Sequence, residues 1–371
     1  MSEPFQVSGL EDVASPALLV WPERVEANIA HMVAMCGGTE RLRPHVKTHK
    51  MEAVMRLQLA AGIGKFKAST IAEVEMCLVA GATDVLLAYP LVGPNQKRLV
   101  RLAGSYPGAR LSFLAEGGDG LEGQGKLSEE AGVELGVFVD FDCGMARTGT
   151  ESKEAAVSLA GAIASIDGLH FDGVHVYDGH LRASDPEQRR RDWISAMKLV
   201  GELLGALEKA GHPAPAVVGG GSPTFGLHAR ERSWQCSPGT TLFWDAGYGN
   251  AFPDLPFESA AAVFTRIVSR PGSNRLCLDL GHKAIASEGP LETRVHLVGL
   301  EHARAVGHSE EHLVLEVDGS AAGYEVGDSF VGIPRHICPT VALYQEATLV
   351  RGGSVTDERW QVTARNRRLS V

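Results

Sequence analysis

The sequence predicts an α/β chain in which a (β/α)8 barrel is joined to a smaller β domain. Three observations point there. Eight strand-like runs alternate with helical patterns over about 200 residues, which is the rhythm of a barrel. The competing architecture, a doubly wound open sheet, usually has fewer units and a glycine fingerprint after its first strand, and no such fingerprint is present. After about residue 250 the texture changes to short β-rich runs separated by Gly, Pro and Asp.

The barrel strands are read at 43–47, 65–69, 85–88, 110–114, 135–140, 171–177, 216–219 and 235–243. Helical patterns at 51–61, 71–80, 95–103, 153–164 and 186–210 fill most of the gaps. A first barrel helix is read at 24–35, after a strand-like run at 16–21. The all-β runs that follow the barrel fall at 263–268, 275–279, 294–298, 312–317, 329–333 and 346–351. The opening run 16–21 is expected to pair with them, so the β domain is discontinuous. The expected division is a barrel over 23–248 and a β domain made of 1–22 and 249–371.

Composition narrows the function classes. The chain has 371 residues, 44% of them hydrophobic and 22% charged, which suits a globular protein with a large core. A net charge of −10 leaves no basic stripe for a nucleic-acid partner. No apolar run is long enough to span a membrane, and Met1 to Leu10 lacks the pattern of a signal peptide. Cys36, Cys77, Cys143, Cys236, Cys277 and Cys338 are scattered without paired spacing, as reduced cytoplasmic thiols would be.

Barrel chemistry sits at the carboxyl ends of the strands, and several polar clusters fall there. Lys47 ends the first strand-like run, in Arg43-Pro44-His45-Val46-Lys47-Thr48-His49-Lys50. A lysine partly desolvated in a barrel mouth has a lowered pKa and suits Schiff-base chemistry. Asp140-Phe141-Asp142-Cys143-Gly144-Met145-Ala146-Arg147-Thr148-Gly149 follows strand five. There Arg147 either holds an anionic oxygen or pairs with Asp140 or Asp142. In His175-Val176-Tyr177-Asp178-Gly179-His180, alternation puts His175 and Tyr177 on one face. Gly219-Gly220-Gly221-Ser222-Pro223-Thr224 and Ser237-Pro238-Gly239-Thr240 flank strands seven and eight, where barrels often bind phosphate. A phosphate cup opposite a strand-one lysine suggests pyridoxal 5′-phosphate. In Pro334-Arg335-His336-Ile337-Cys338-Pro339-Thr340, an extended segment would point His336 and Cys338 to one face. Imidazole and thiolate together suit Zn²⁺, while a packed histidine beside a buried cysteine is the plainer alternative.

Taken together, these motifs resemble the D-threonine aldolase and D-serine dehydratase family, alanine racemase-like enzymes of fold type III that use pyridoxal phosphate. The motifs are R-P-H-V-K-T-H-K, D-x-G-M-x-R-T-G, the glycine loop, S-P-G-T, S-E-E-H (Ser309 to His312) and H-x-C-P-T. The resemblance implies that Lys47 carries the cofactor as a Schiff base and that Arg147 contacts its phenolic oxygen. Tyr177 would lie beside the ring, near its nitrogen. Gly221, Ser222, Gly239 and Thr240 would bind its phosphate. His336 and Cys338 would hold a divalent metal, Zn²⁺ or else Mn²⁺ or Mg²⁺, that engages the substrate's β-hydroxyl. The resemblance also implies a homodimer acting on small D-amino acids.

Two reactions follow from that assignment. Retro-aldol cleavage of a β-hydroxy D-amino acid gives glycine and an aldehyde, with His312, Tyr177 or His180 taking the hydroxyl proton. Dehydration gives a 2-keto acid and ammonia, with Lys47 taking the α-proton. The His-x-Cys pair looks like the dehydratase branch, whereas 67–95 and 237–249 look closer to aldolase-type members, and the aldolase is the preferred expectation. An amino-acid racemase, which needs two bases and no metal, is a further alternative.

Overall fold

The computed structural model describes residues 5–231 and 233–371, and the chain divides into two compact units. One comprises 30–47, 55–239 and 366–371; the other comprises 1–29, 48–54 and 240–365. The first four residues of the expected 1–22 segment lie outside the described residues.

From the N-terminus, β1 (Ala17–Val20), α1 (Pro22–Cys36) and α2 (Glu52–Ala60) lead into an alternating series. It runs β2 (Lys65–Ala68), α3 (Ile71–Ala80), β3 (Asp84–Pro90), α4 (Asn95–Ser105), β4 (Arg110–Ala115), α5 (Leu121–Glu130), β5 (Leu135–Asp140), α6 (Lys153–Ala164), β6 (Leu169–Val176), α7 (Pro186–Lys209), β7 (Ala216–Gly219), α8 (Phe225–Glu231) and β8 (Gln235–Cys236). Local chemistry starts several of these helices. Thr70 accepts the Glu73 N–H before α3, Ser152 accepts the Ala155 N–H before α6, and Asp185 accepts the Glu187 N–H before α7, whose first residue is proline.

Strands β2 to β8 form one parallel sheet in chain order. Every residue of β5, Leu-Gly-Val-Phe-Val-Asp, is buried, as a barrel strand requires. Leu86, Leu114, Phe138 and Val218 pack together as a core cluster.

The run 43–47 forms no regular strand. Instead, the Arg43 N–H donates to Cys236 O (2.8 Å) and the Cys236 N–H to Arg41 O (2.7 Å). On the other side, the Val46 N–H donates to Lys67 O and the Lys67 N–H to Pro44 O, both 2.9 Å. The segment therefore joins β8 to β2 across the two edges of the sheet. Pro44 has no N–H, which prevents a continuous ladder, and β8 likewise stops at Cys236, before Pro238.

The other unit continues with α9 (Ala246–Ala251), β9 (Ala261–Ser269), β10 (Arg275–Leu278), β11 (Val295–Leu297), β12 (Arg304–His308), β13 (Leu313–Glu316), β14 (Ser329–Pro334), α10 (Ile337–Val341), β15 (Glu346–Arg351) and β16 (Ser354–Gln361). Its sheet order is β12-β13-β10-β9-β1-β15-β16, with β14 on β9 and β11 on β14. β1 is antiparallel to β9 and parallel to β15, so the opening strand is built into the C-terminal sheet as the sequence leads one to expect. Leu276, Leu278, Leu313 and Leu315 anchor the core of that sheet. β12 and β16 were not expected. β16 is a polar edge strand, Ser-Val-Thr-Asp-Glu-Arg-Trp-Gln, whose charges suit an exposed edge and hide its periodicity. Among the described residues no helix is long and apolar enough to cross a membrane.

Candidate active site

The carboxyl ends of the barrel strands gather three cationic side chains around one aromatic ring. Lys47 Nζ lies 5.8 Å from the centroid of the Tyr177 ring. The Arg147 guanidinium is 4.8 Å from it, and Lys67 Nζ is 6.0 Å from it. Each distance is within the range of a cation–π contact. The residues arrive from separate places: the 41–47 segment, β2, the loop after β5, and the end of β6. Lys47 is half-buried, and its backbone N–H donates to His45 Nδ1 at 3.3 Å.

A buried chain of polar groups supports this ring. Asp140 Oδ1 lies 2.7 Å from His175 Nδ1, and the Thr148 hydroxyl donates to Asp140 Oδ2 at 2.9 Å. His175 Nε2 lies 3.4 Å from Lys67 Nζ. With its Nδ1 proton donated to the carboxylate, His175 presents a lone pair at Nε2, so Lys67 is the donor there. Burial pushes the Asp140 pKa up, but His175, Thr148 and the Lys67 charge outweigh it and hold the carboxyl below its usual range. Burial and the Lys67 charge lower His175 despite Asp140. Lys67 is lowered to about 7, first by burial and then by the charge of Lys47; Asp178 and Asp140 offset this in part.

Arg147 does not pair with either nearby acid. Asp140 is committed as described, and Asp142 accepts the backbone N–H groups of Gly144, Met145 and Ala146 at 2.7–2.8 Å. That turn aims Arg147 at Tyr177. His180 is exposed and faces Gly144, where a Cβ would lie 3.0 Å from His180 Nε2.

The glycine loop after β7 is also held from behind. The Gly221 N–H donates to Asp178 Oδ1 at 3.0 Å, and Asp178 Oδ2 lies 2.8 Å from His228 Nε2, with both of these side chains fully buried. The Gly239 N–H donates to Ser222 Oγ at 3.4 Å, linking the two phosphate-loop candidates. Gly220 has φ +83°, and a Cβ on it would meet His228 Cδ2 at 2.7 Å. A Cβ on Gly221 would sit 3.4 Å from Tyr177 Cε2, so the bare backbone allows the loop to lie against the ring. Cations, an aromatic face and an adjacent glycine cradle fit an anionic aromatic ligand such as pyridoxal phosphate.

In the β unit, His336 and Cys338 do not lie on an extended segment. His336 occupies the N-cap position of α10, with φ −134° and ψ 102°, and Cys338 is in its first turn. The Ile337 N–H donates to Asp245 Oδ2 (3.1 Å), and Pro339 is tolerated in a first turn because its missing N–H has no helical partner there. The two side chains still meet. Burial raises the Cys338 thiol, but bonding and charge from His336, helped by Thr48, bring it below its ordinary value. Burial lowers His336, but Cys338, Glu288 and Asp245 outweigh it and raise the imidazole to about 9. Glu288 Oε2 is 2.5 Å from His336 Nδ1, and Thr48 Oγ1 and Thr240 Oγ1 are 3.2 and 3.6 Å from Cys338 Sγ. Among the described residues no three His, Cys, Asp or Glu side chains gather closely enough to hold a metal. An imidazole–thiolate pair with a carboxylate on the imidazole Nδ1 is nevertheless a donor set that fits Zn²⁺ completed by water or substrate. His312 is exposed, and its carbonyl accepts the Ser309 N–H at 2.9 Å.

Lys67, Asp178, His228 and Glu288 were missed as site residues. The signal for Lys67 was present: a lysine set between Phe66 and Ala68 near the end of a barrel strand. Asp178 and His228 are 50 residues apart, and no spacing rule joins them.

Comparison with known proteins agrees with this geometry. Residues 20–246 match the family model described as "Alanine racemase, N-terminal domain", and 260–350 match "Putative serine dehydratase domain". A D-threonine aldolase from Arthrobacter sp. is 27% identical, over 96% of this chain and 94% of that protein. A 3-hydroxy-D-aspartate aldolase from Paracoccus denitrificans (strain Pd 1222) is 28% identical, over 96% and 93%. The crystal structure of D-threonine aldolase from Filomicrobium marinum superimposes with a TM-score of 0.88 at 30% identity, covering 96% of this chain and 97% of that one. The chain belongs to the alanine racemase-like family of pyridoxal phosphate-dependent enzymes, on the D-threonine aldolase and D-serine dehydratase side of it.

Proposed function

We propose that the chain is a pyridoxal phosphate- and divalent-metal-dependent lyase that cleaves β-hydroxy D-amino acids to glycine and an aldehyde. The observation that carries the cofactor part is the convergence of Lys47, Lys67 and Arg147 on Tyr177 while Asp140 and Asp178 are bonded elsewhere. The near full-length aldolase relatives support the reaction.

Lys47 is the amine that holds the cofactor, and Arg147 meets its phenolic oxygen. Tyr177 flanks the ring, and Gly221, Ser222, Gly239 and Thr240 hold the phosphate. His336 and Cys338 hold the metal, with Zn²⁺ the best match to their donors and Glu288 fixing the imidazole. When bound, the cofactor supplies an electron sink for charge developing at Cα, and the metal a Lewis acid for the β-hydroxyl. Cleavage of Cα–Cβ moves the hydroxyl proton to Cα, so that glycine and the aldehyde balance the substrate. Tyr177, His180 and His312 are the candidates to take that proton. We also propose that the enzyme is a cytoplasmic homodimer.

A dehydratase is the second reading, favoured by Cys338 and by the serine dehydratase match over 260–350. In it, Lys47 Nζ removes the Cα proton, hydroxide leaves, and hydrolysis yields a 2-keto acid and ammonia. Product analysis on the reconstituted enzyme with D-threonine separates the two. Glycine and acetaldehyde in equal amounts are expected. 2-Oxobutyrate and ammonia would replace the aldolase by the dehydratase, and inversion of D-threonine at Cα to L-allo-threonine without cleavage would replace both by a racemase.

A further inference from the structure

We propose that Lys67 is a further positioning residue of the cofactor cleft: anchored through His175 to Asp140, it presents a second lysine ammonium to the negatively charged ring of the bound cofactor. The inference rests on the pyridoxal phosphate reading above.

A lysine only 3% exposed inside a barrel is costly, and a methionine would fill the same space without desolvating an amine. Burial and Lys47 outweigh Asp178 and Asp140, which favour the charged form of Lys67 and whose oxygens are bonded to other groups. Asp140 is bonded to His175 and Thr148; Asp178 is bonded to Gly221 N–H and lies against His228. Arg43 is positive and engaged by Asp84 (2.7 Å) and Gln235 (2.6 Å). Lys47 and Arg147 add positive charge at the same Tyr177 face. One N–H of Lys67 goes to His175 Nε2, and its remaining capacity is directed to the face where the three cations meet. The missing element is an anion. Its arrival favours the charged form of Lys67, so the amine takes up a proton as the ligand binds.

The test uses pyridoxine 5′-phosphate, which has no aldehyde and forms no bond with Lys47. Calorimetry at pH 8 in two buffers of different ionisation enthalpy measures affinity and proton uptake for wild type, Lys67→Met and Lys67→Arg, each checked for folding by circular dichroism. Wild type is expected to take up a proton on binding and to lose affinity as pH rises above about 7. Lys67→Met is expected to bind roughly tenfold more weakly or worse, without the Lys67-linked uptake. Lys67→Arg, charged at every pH used, is expected to keep the affinity and lose that pH dependence; it also decides the question if Lys67→Met does not fold. Wild-type affinity and uptake in either variant would overturn the inference. Absence of binding by wild type, to this probe and to pyridoxal phosphate alike, would overturn the cofactor reading and this inference with it.

Discussion

The barrel carries two buried polar clusters, one at each end of its strands, and they are built on opposite principles. At the amino-terminal end, Asp172 on β6 is bonded to Arg110, to the Ser112 hydroxyl (2.5 Å) and to His170 Nε2 (2.8 Å). A Cβ on Gly136 would come within 1.9 Å of Asp172 Oδ2, so the cluster is packed shut around its acid. At the carboxyl-terminal end, Asp140 and His175 hold a lysine from behind, and the surplus charge is positive and faces an aromatic ring. A closed, balanced cluster stabilises the barrel. An open, unbalanced one suits the binding of an anionic ligand, as proposed above. This matches the division of labour between the two ends of such barrels.

The largest expected effect that separates the two ends is Lys47→Ala. It should abolish the visible absorbance of the reconstituted enzyme and lower kcat by at least about a thousandfold with little change in Tm. Next, Asp172→Asn should destabilise the fold by about 3–5 kcal/mol in urea unfolding, since it leaves buried partners unmatched. Asp140→Asn should instead show its main effect as weaker cofactor binding.

The clusters also differ in pH dependence. The folded-state pKa of Asp172 is depressed: burial opposes this, and bonds from His170, Arg110 and Ser112 prevail. Its stabilisation is therefore present above the ordinary carboxylate range and is lost as pH falls through that range. Lys67 is depressed from 10.5 to about 7, so between those values the unfolded chain binds the extra proton. The Tm of the cofactor-free protein should rise with pH across that window, and the rise should flatten in Lys67→Met. The smallest effect expected is in the β unit, where Glu288→Gln should weaken Zn²⁺ binding by about tenfold while leaving the cofactor spectrum unchanged.

The legible parts of the molecule are those with local signals. Alternating strand-like runs and helical patterns make most of the barrel legible, and the motifs around Lys47, Arg147 and Tyr177 contain the three side chains that the fold brings together. Polar edge strands such as β16 escaped because their exposed face carries no apolar period. The first strand lies in the expected place but is not regular, because Pro44 lacks the N–H that a continuous ladder needs. His336 and Cys338 meet, but not on the extended segment expected: the segment turns into a helix whose first N–H, that of Ile337, is bonded to Asp245, 92 residues away in sequence. Lys67 has a local signal, its place near the end of a barrel strand, whereas Asp178 has none, since its partners Gly221 and His228 lie 43 and 50 residues away.

Of the two lysines at the Tyr177 ring, Lys47 is the amine proposed to carry the cofactor, with Lys67 only assisting. Borohydride reduction of the protein incubated with pyridoxal phosphate, followed by peptide mass spectrometry, tests it directly. A single phosphopyridoxyl adduct on Lys47, absent in Lys47→Ala, is expected. An adduct on Lys67, or no adduct on either lysine, would contradict it.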